Sequence, residues 1–169
     1  MKMKRTLDFA RLYLSERLSV IPLVAKRNNP AIESDEFHTR LPKDSELMKW
    51  FWDRHNYNVG IITGVVSGII VIRIQTTLMN NDDEIRKFIR ETPTVNIPSG
   101  MDIYYRMPTV IGNLKLKDDL AGVQLIGQDN YVAAPPSCHQ TYGEYIWMRK
   151  KGLKDLPMAE LPENLWQIE

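Results

Sequence analysis

Two β-branched runs set the first constraint on the fold. Asn58-Val59-Gly60-Ile61-Ile62-Thr63-Gly64 and Gly68-Ile69-Ile70-Val71-Ile72-Arg73-Ile74-Gln75 are separated only by Val65-Val66-Ser67. Runs this rich in Val and Ile favour strands, and glycines bounding the joint favour a turn. The expected unit is a β-hairpin, Val59–Thr63 with Ile69–Gln75. Side chains alternate faces along a strand. Ile70, Ile72 and Ile74 therefore share a core face, and Arg73 and Gln75 share the opposite one.

Other segments fill in the frame. Leu7, Ala10, Leu14 and Leu18 recur at helical spacing, with Thr6 as an N-cap. Ser19–Val24 reads as a short buried strand, and Pro22 places it at an edge. Lys26–Arg40 reads as a loop, followed by a helix carrying Leu47, Met48, Trp50 and Phe51, capped by Asp44 or Ser45. Asn81 with Glu84 resembles a capping box for a helix with Ile85, Phe88 and Ile89 on one stripe. Thr94–Ile97, Ile103–Arg106, Val123–Ile126 and Tyr131–Ala134 read as strands, and Glu163–Ile168 as a short closing helix. This order gives one α+β domain with mixed sheets over residues 1–169.

Bulk properties exclude several classes. No apolar run approaches the roughly 20 residues that span a bilayer. The basic start, MKMKRTLDFARLYL, lacks the apolar core of a secretory signal. Cys138 is the single cysteine, so no intrachain disulfide forms and a cytoplasmic setting is expected. The net charge of +1 leaves nucleic-acid binding open, because a basic groove fits within a neutral total. Candidate basic clusters are Lys2, Lys4 and Arg5; Lys26 and Arg27; Arg86, Lys87 and Arg90; and Arg149, Lys150 and Lys151. Trp50, Phe51 and Trp52 offer stacking, although a helix cannot turn all of them the same way. His38, His55 and His139 are too far apart for a zinc pattern, and Cys138 beside His139 lacks a third orienting group.

Four segments, in order, resemble the prim-pol domain of the archaeo-eukaryotic primase superfamily. They are Ala10–Tyr13 with Val20-Ile21-Pro22-Leu23 and Lys26…Pro30; Trp50-Phe51-Trp52 with Asn58–Gly64; Pro98-Ser99-Gly100 with Tyr104-Tyr105-Arg106; and Gly122-Val123…Gly127…Tyr131–Ser137 with His139, Gly143, Tyr145 and Trp147. The resemblance covers about residues 7–147 and leaves 148–169 as a C-terminal extension. It implies an RRM-like mixed-sheet lobe and a smaller αβ lobe around a central cleft.

That family joins nucleotides with two divalent cations, one activating the attacking hydroxyl and one neutralising the leaving pyrophosphate. Such hard cations need oxygen ligands, chiefly carboxylates. The family's Asp-x-Asp falls on Arg73 and Gln75, its third carboxylate on Gln124, and its phosphate-contacting histidine on Asp102. The resemblance therefore implies a catalytically degenerate domain with no catalytic residue, no metal and no cofactor expected. Mg²⁺ or Mn²⁺ enters only in an alternative reading, an active primase/polymerase with an unusual metal site. Asp82, Asp83 and Glu84 read as a helix N-terminus made favourable by the helix dipole.

An altered cleft can still bind. Arg73, Ser99, Gly100, Ser137 and His139 are the candidate nucleotide or phosphate contacts, and Lys26 and Arg27 the candidate nucleic-acid contacts. Arg73 can equally close an ion pair with Asp102. The expected partners are DNA or RNA, nucleotides, and a replicative helicase or an active primase, in replication of a mobile or extrachromosomal element. The remaining alternative is a protein-interaction subunit of a replication complex that binds no nucleic acid.

Overall fold

A computed structural model describes residues 2–25, 27–52, 56–78, 82–139 and 141–169. Lys26, His55 and Asn81, each singled out above, lie outside the described residues. The elements run α1 (Lys2–Ser15), β1 (Val20–Val24), α2 (Asp44–Phe51), β2 (Tyr57–Ile62), β3 (Ile69–Gln75), α3 (Asp82–Ile85), β4 (Thr94–Ile97), β5 (Gly100–Arg106) and β6 (Leu114–Leu116). They continue as β7 (Val123–Ile126), β8 (Tyr131–Ala134), β9 (Cys138–His139), β10 (Gly143–Glu144), β11 (Ile146–Trp147) and β12 (Trp166–Ile168). No helix among the described residues is long and apolar enough to cross a membrane.

The two β-branched runs form strands but not a hairpin. Gly64 donates its N–H to the Ile69 carbonyl at 2.8 Å and Gly68 donates to the Gly64 carbonyl at 2.8 Å, so the turn forms. Beyond the single Gly64–Ile69 bridge the strands part. β2 enters a three-stranded sheet of order β1-β2-β8, and β3 a five-stranded sheet of order β11-β4-β5-β3-β7. The reason is burial on both faces. Val59, Gly60, Ile61 and Ile62 are all buried, which a two-stranded ribbon cannot achieve. Splitting the runs between two sheets brings Val59, Ile61 and Val71 into one core.

Among the described residues every strand ladder is antiparallel, where mixed sheets were expected, and the one parallel pairing is the isolated bridge Arg106–Glu160. β1 lies at a sheet edge, as Pro22 requires. The five-stranded sheet has a core on each face. Val71, Tyr104, Val95 and Ile126 pack toward α1, α2 and the smaller sheet. Ile70, Ile72, Ile74, Met101, Ile103 and Tyr105 pack on the other side with Ile85, Phe88, Leu161 and Leu165. The alternation expected along β3 therefore holds.

The differences from expectation are local. Thr6 lies within α1, which already begins at Lys2, and does not cap it. The loop after β1 contains a short 3-10 turn, Asp35–His38. Lys43, not Asp44 or Ser45, occupies the N-cap of α2, and the Glu46 carboxylate accepts its backbone N–H at 2.7 Å. Trp50 and Phe51 are buried, and Trp52 remains 51% exposed. α3 is a single turn continued by a 3-10 turn, Arg86–Phe88.

The closing helix expected at Glu163–Ile168 is replaced by strand β12, which pairs with β6. The tail is built into the domain. Arg106 N–H reaches the Ala159 carbonyl at 2.8 Å, Thr94 N–H reaches Lys151 at 3.0 Å, and Leu161 and Leu165 fill the second core.

Candidate functional site

The strand order places three substituted positions in one row. In register, Arg73 of β3 faces Asp102 of β5 on one side and Gln124 of β7 on the other. Directly opposed residues share a face, so all three look toward the interior between the two sheets. Further along this face the row is Val71, Tyr104 and Ile126, and the apolar core gives way to polar groups at Arg73.

The Arg73 guanidinium is clamped. Its Nε donates to Asp102 Oδ1 and its Nη2 to Asp102 Oδ2, both at 2.7 Å. The Asp102 side chain is 0% exposed and that of Arg73 is 28% exposed. Two opposing effects act on the carboxyl. Burial pushes its pKa up and is the larger, while the guanidinium pulls it down. Acceptance of two N–H bonds, one on each oxygen, identifies the group as a carboxylate. Arg73 stays protonated: burial weakens its charge, but the hydrogen bonds and charge of Asp102 more than compensate. Ion pairing of Arg73 with Asp102 is thus present, and yet the cleft is open.

A cavity of about 350 Å³ lies over the row. Asn28, Arg73, Gln124, Asn130, Tyr131 and Tyr145 supply most of its lining, and Ile126, Val132 and Ala133 complete it. Tyr145 is fixed by a relay. Asn28 Nδ2 donates to Tyr145 Oη at 3.0 Å, and Asn58 Nδ2 donates to Asn28 Oδ1 at 2.8 Å. Asn58 in turn accepts the Cys138 N–H at 3.1 Å and donates to its carbonyl at 3.0 Å. Tyr145 also walls a second cavity of about 260 Å³ with Pro98, Ser99, His139 and Tyr142. There the His139 and Tyr142 rings lie in contact, centroids 4.5 Å apart and tilted by 37°, and Tyr142 is 70% exposed.

The structure sorts the candidates. Ser99 and His139 meet in the second cavity, and Arg73 and Gln124 in the first. Gln75 is exposed at the end of β3 and does not line the first cavity. Ser137 leaves the candidate set. It is buried, and its hydroxyl accepts the Val59 N–H at 2.9 Å and donates to the Val59 carbonyl at 3.1 Å, joining the end of β8 to β2. Gly100 owes its identity to packing. Its φ is +151°, and a Cβ there would meet the Ile74 carbonyl oxygen at 1.9 Å. Arg27 is exposed beside Asn28. Lys87 pairs with Asp118 at 2.6 Å and Lys151 with Glu91 at 3.4 Å, so these two cations belong to surface ion pairs.

Asn28, Asn130, Tyr142 and Tyr145 escaped the sequence reading as site residues. Asn28 reaches the cavity through a left-handed turn, φ +53°, that composition does not announce. Tyr145 stood in the fourth motif, which was the available signal.

The donor set does not fit the divalent cations of two-metal nucleotidyl transfer. Asp102 is the one carboxylate in the row, and both its oxygens are held by Arg73. Among the described residues, no group of three or more His, Cys, Asp or Glu side chains converges as a metal site. A comparison with curated proteins finds none that matches. A family model described as bifunctional DNA primase/polymerase, N-terminal, matches residues 10–164.

Proposed function

The chain belongs to the bifunctional DNA primase/polymerase N-terminal family, and from that premise we propose that it serves DNA replication as a binding module of primase/polymerase type rather than as a polymerase. Its cleft grips nucleic acid or a nucleotide without joining nucleotides. One observation carries the reading: where the family resemblance places metal-holding carboxylates, a guanidinium stands between a carboxylate that neutralises it and a glutamine. Both oxygens of Asp102 are taken up by the Arg73 guanidinium, and Gln124 is a neutral, weak ligand, so the row leaves no free carboxylate to hold a divalent metal.

The open, preorganised cleft supports binding over a vestigial scaffold. Part-buried polar relays such as Asn58–Asn28–Tyr145 hold a site in one geometry. The exposed Tyr142 ring, in tilted contact with His139, supplies an aromatic face suited to unpaired bases. The setting remains the replication apparatus of a mobile or extrachromosomal element, with a helicase or an active primase as protein partner.

Fluorescence anisotropy with labelled single-stranded and duplex DNA and RNA, across a salt series, tests the reading. Saturable binding of a single strand is expected, weakening as salt rises through loss of phosphate contacts. Absence of binding to all four at low salt would leave the protein-interaction module in its place.

A further inference from the structure

We infer that the paired cavities recognise an unpaired nucleobase as a neutral group, with no requirement for its phosphates or for metal. This rests on the binding-module reading and names the ligand chemistry of that site.

Charge is the first argument. Arg73 is the one cation lining the larger cavity among the described residues, and Asp102 cancels it through two 2.7 Å bonds. The remaining polar groups are the carboxamides of Asn28, Gln124 and Asn130 and the phenols of Tyr131 and Tyr145, all neutral. A triphosphate finds no net positive charge there. A nucleobase edge finds in Gln124 a carboxamide that can both donate and accept and so pair with a base edge by two bonds, while Asn28 already donates to Tyr145 and accepts from Asn58, and Asn130 donates to the Gln128 carbonyl. The guanidinium spends two of its five N–H donors on Asp102, and among the described residues no partner takes the others. They remain to meet acceptors on a ring.

Shape is the second argument. The lining is mostly polar, with Ile126, Val132 and Ala133 as its apolar residues, and the volume of about 350 Å³ falls at the small-molecule end of ligand pockets. Tyr145 stands between this cavity and the one carrying the His139–Tyr142 contact. A base seated beside Arg73 and Gln124 therefore has an aromatic platform next to it for a neighbouring base or for its own other end. The relay through Asn28 and Asn58 fixes Tyr145 before a ligand arrives, which reduces the entropy lost on binding.

Calorimetric titration of the whole chain tests this with the nucleoside, 5′-monophosphate and 5′-triphosphate of each of the four bases, with and without Mg²⁺, beside a single-stranded oligonucleotide and its duplex. At least one base is expected to bind with a Kd that stays within about threefold along its phosphate series, since a neutralised cation adds little for each charge. Mg²⁺ is expected to change nothing, and the single strand to bind better than the duplex. Tighter binding of the single strand than of the nucleoside assigns the base to a strand, and equal binding assigns it to a free nucleoside.

Gln124→Ala and Tyr142→Ala alter exposed side chains, so the fold is retained, and each is expected to weaken nucleoside binding about fivefold or more. Affinity that climbs about tenfold with each phosphate, as paired charge-assisted contacts would give, overturns the inference. So does a requirement for Mg²⁺, or indifference of nucleoside binding to both variants. An oligonucleotide that binds while no nucleoside does, unaffected by Gln124→Ala, overturns the pocket assignment and leaves the binding module standing. Failure of every ligand overturns both.

Discussion

Arg73 and Asp102 face each other across β3 and β5 and close a two-bond ion pair, 2.7 Å on each arm, with the carboxylate wholly buried. Burying both charges is costly, and removing one leaves the other without compensation. Arg73→Ala is therefore expected to lower stability by about 3–5 kcal/mol, whereas the paired apolar change Arg73→Met with Asp102→Leu is about neutral or stabilising. Urea unfolding of the three proteins checks this. Equal losses in both variants would show that the pair itself, and not the orphaned carboxylate, sets the stability.

Gly100 permits β5 to lie against β3. A methyl group there meets backbone, the Ile74 carbonyl at 1.9 Å, which cannot swing away as a flexible side chain would. The residue also sits at a φ of +151°, which L side chains rarely adopt. Gly100→Ala is expected to cost about 1–3 kcal/mol or more. Thermal unfolding checks it, and because Arg73 and Asp102 pair across the same two strands, nucleoside binding should weaken along with stability.

Glu46 couples the cap of α2 to Arg40. Its carboxylate accepts from Arg40 Nη1 at 2.9 Å and Nη2 at 2.7 Å, and from the Lys43 N–H at 2.7 Å. Hydrogen bonding to Arg40 is the largest cause that lowers its pKa from 4.5 to about 2. A carboxyl with a depressed folded value stabilises above its unfolded pKa and loses that contribution as pH falls. Stability should therefore decline between about pH 4.5 and about pH 2 from this group. Glu46→Gln should flatten that part of the acid limb in chemical unfolding at several pH values, while an unchanged slope would place the effect elsewhere.

The strands were legible because short runs rich in β-branched and aromatic residues favour extended backbone whichever faces are buried. Thr94–Ile97, Val123–Ile126 and Tyr131–Ala134 fall where the sequence pattern puts them. The partners were less legible. Val59–Thr63 and Ile69–Gln75 look like a hairpin because adjacency and glycines favour one, but a run buried on both faces needs a layer on each side. Trp166–Ile168 reads as helix locally and becomes a strand through Leu114–Leu116, which stands far away in sequence.

The site followed the same rule. The family resemblance named Arg73, Gln75, Gln124 and Asp102, and strand alternation put Arg73 and Gln75 on one face; that Asp102, Arg73 and Gln124 stand in one row follows from the strand register. The second wall was not, because Asn28 and Tyr145 reach it through a turn and a three-residue relay that exist only after the two sheets stack. Ser137 shows the converse: a hydroxyl beside a site motif turned inward to hold a neighbouring strand.

The most direct test of the account is incorporation of labelled dNTP onto a primed template by the purified chain, in Mg²⁺ and separately in Mn²⁺. With Arg73, Gln124 and a fully engaged Asp102 in the row, no extension above the protein-free control is predicted. A ladder of extended primer that grows with protein concentration would contradict it.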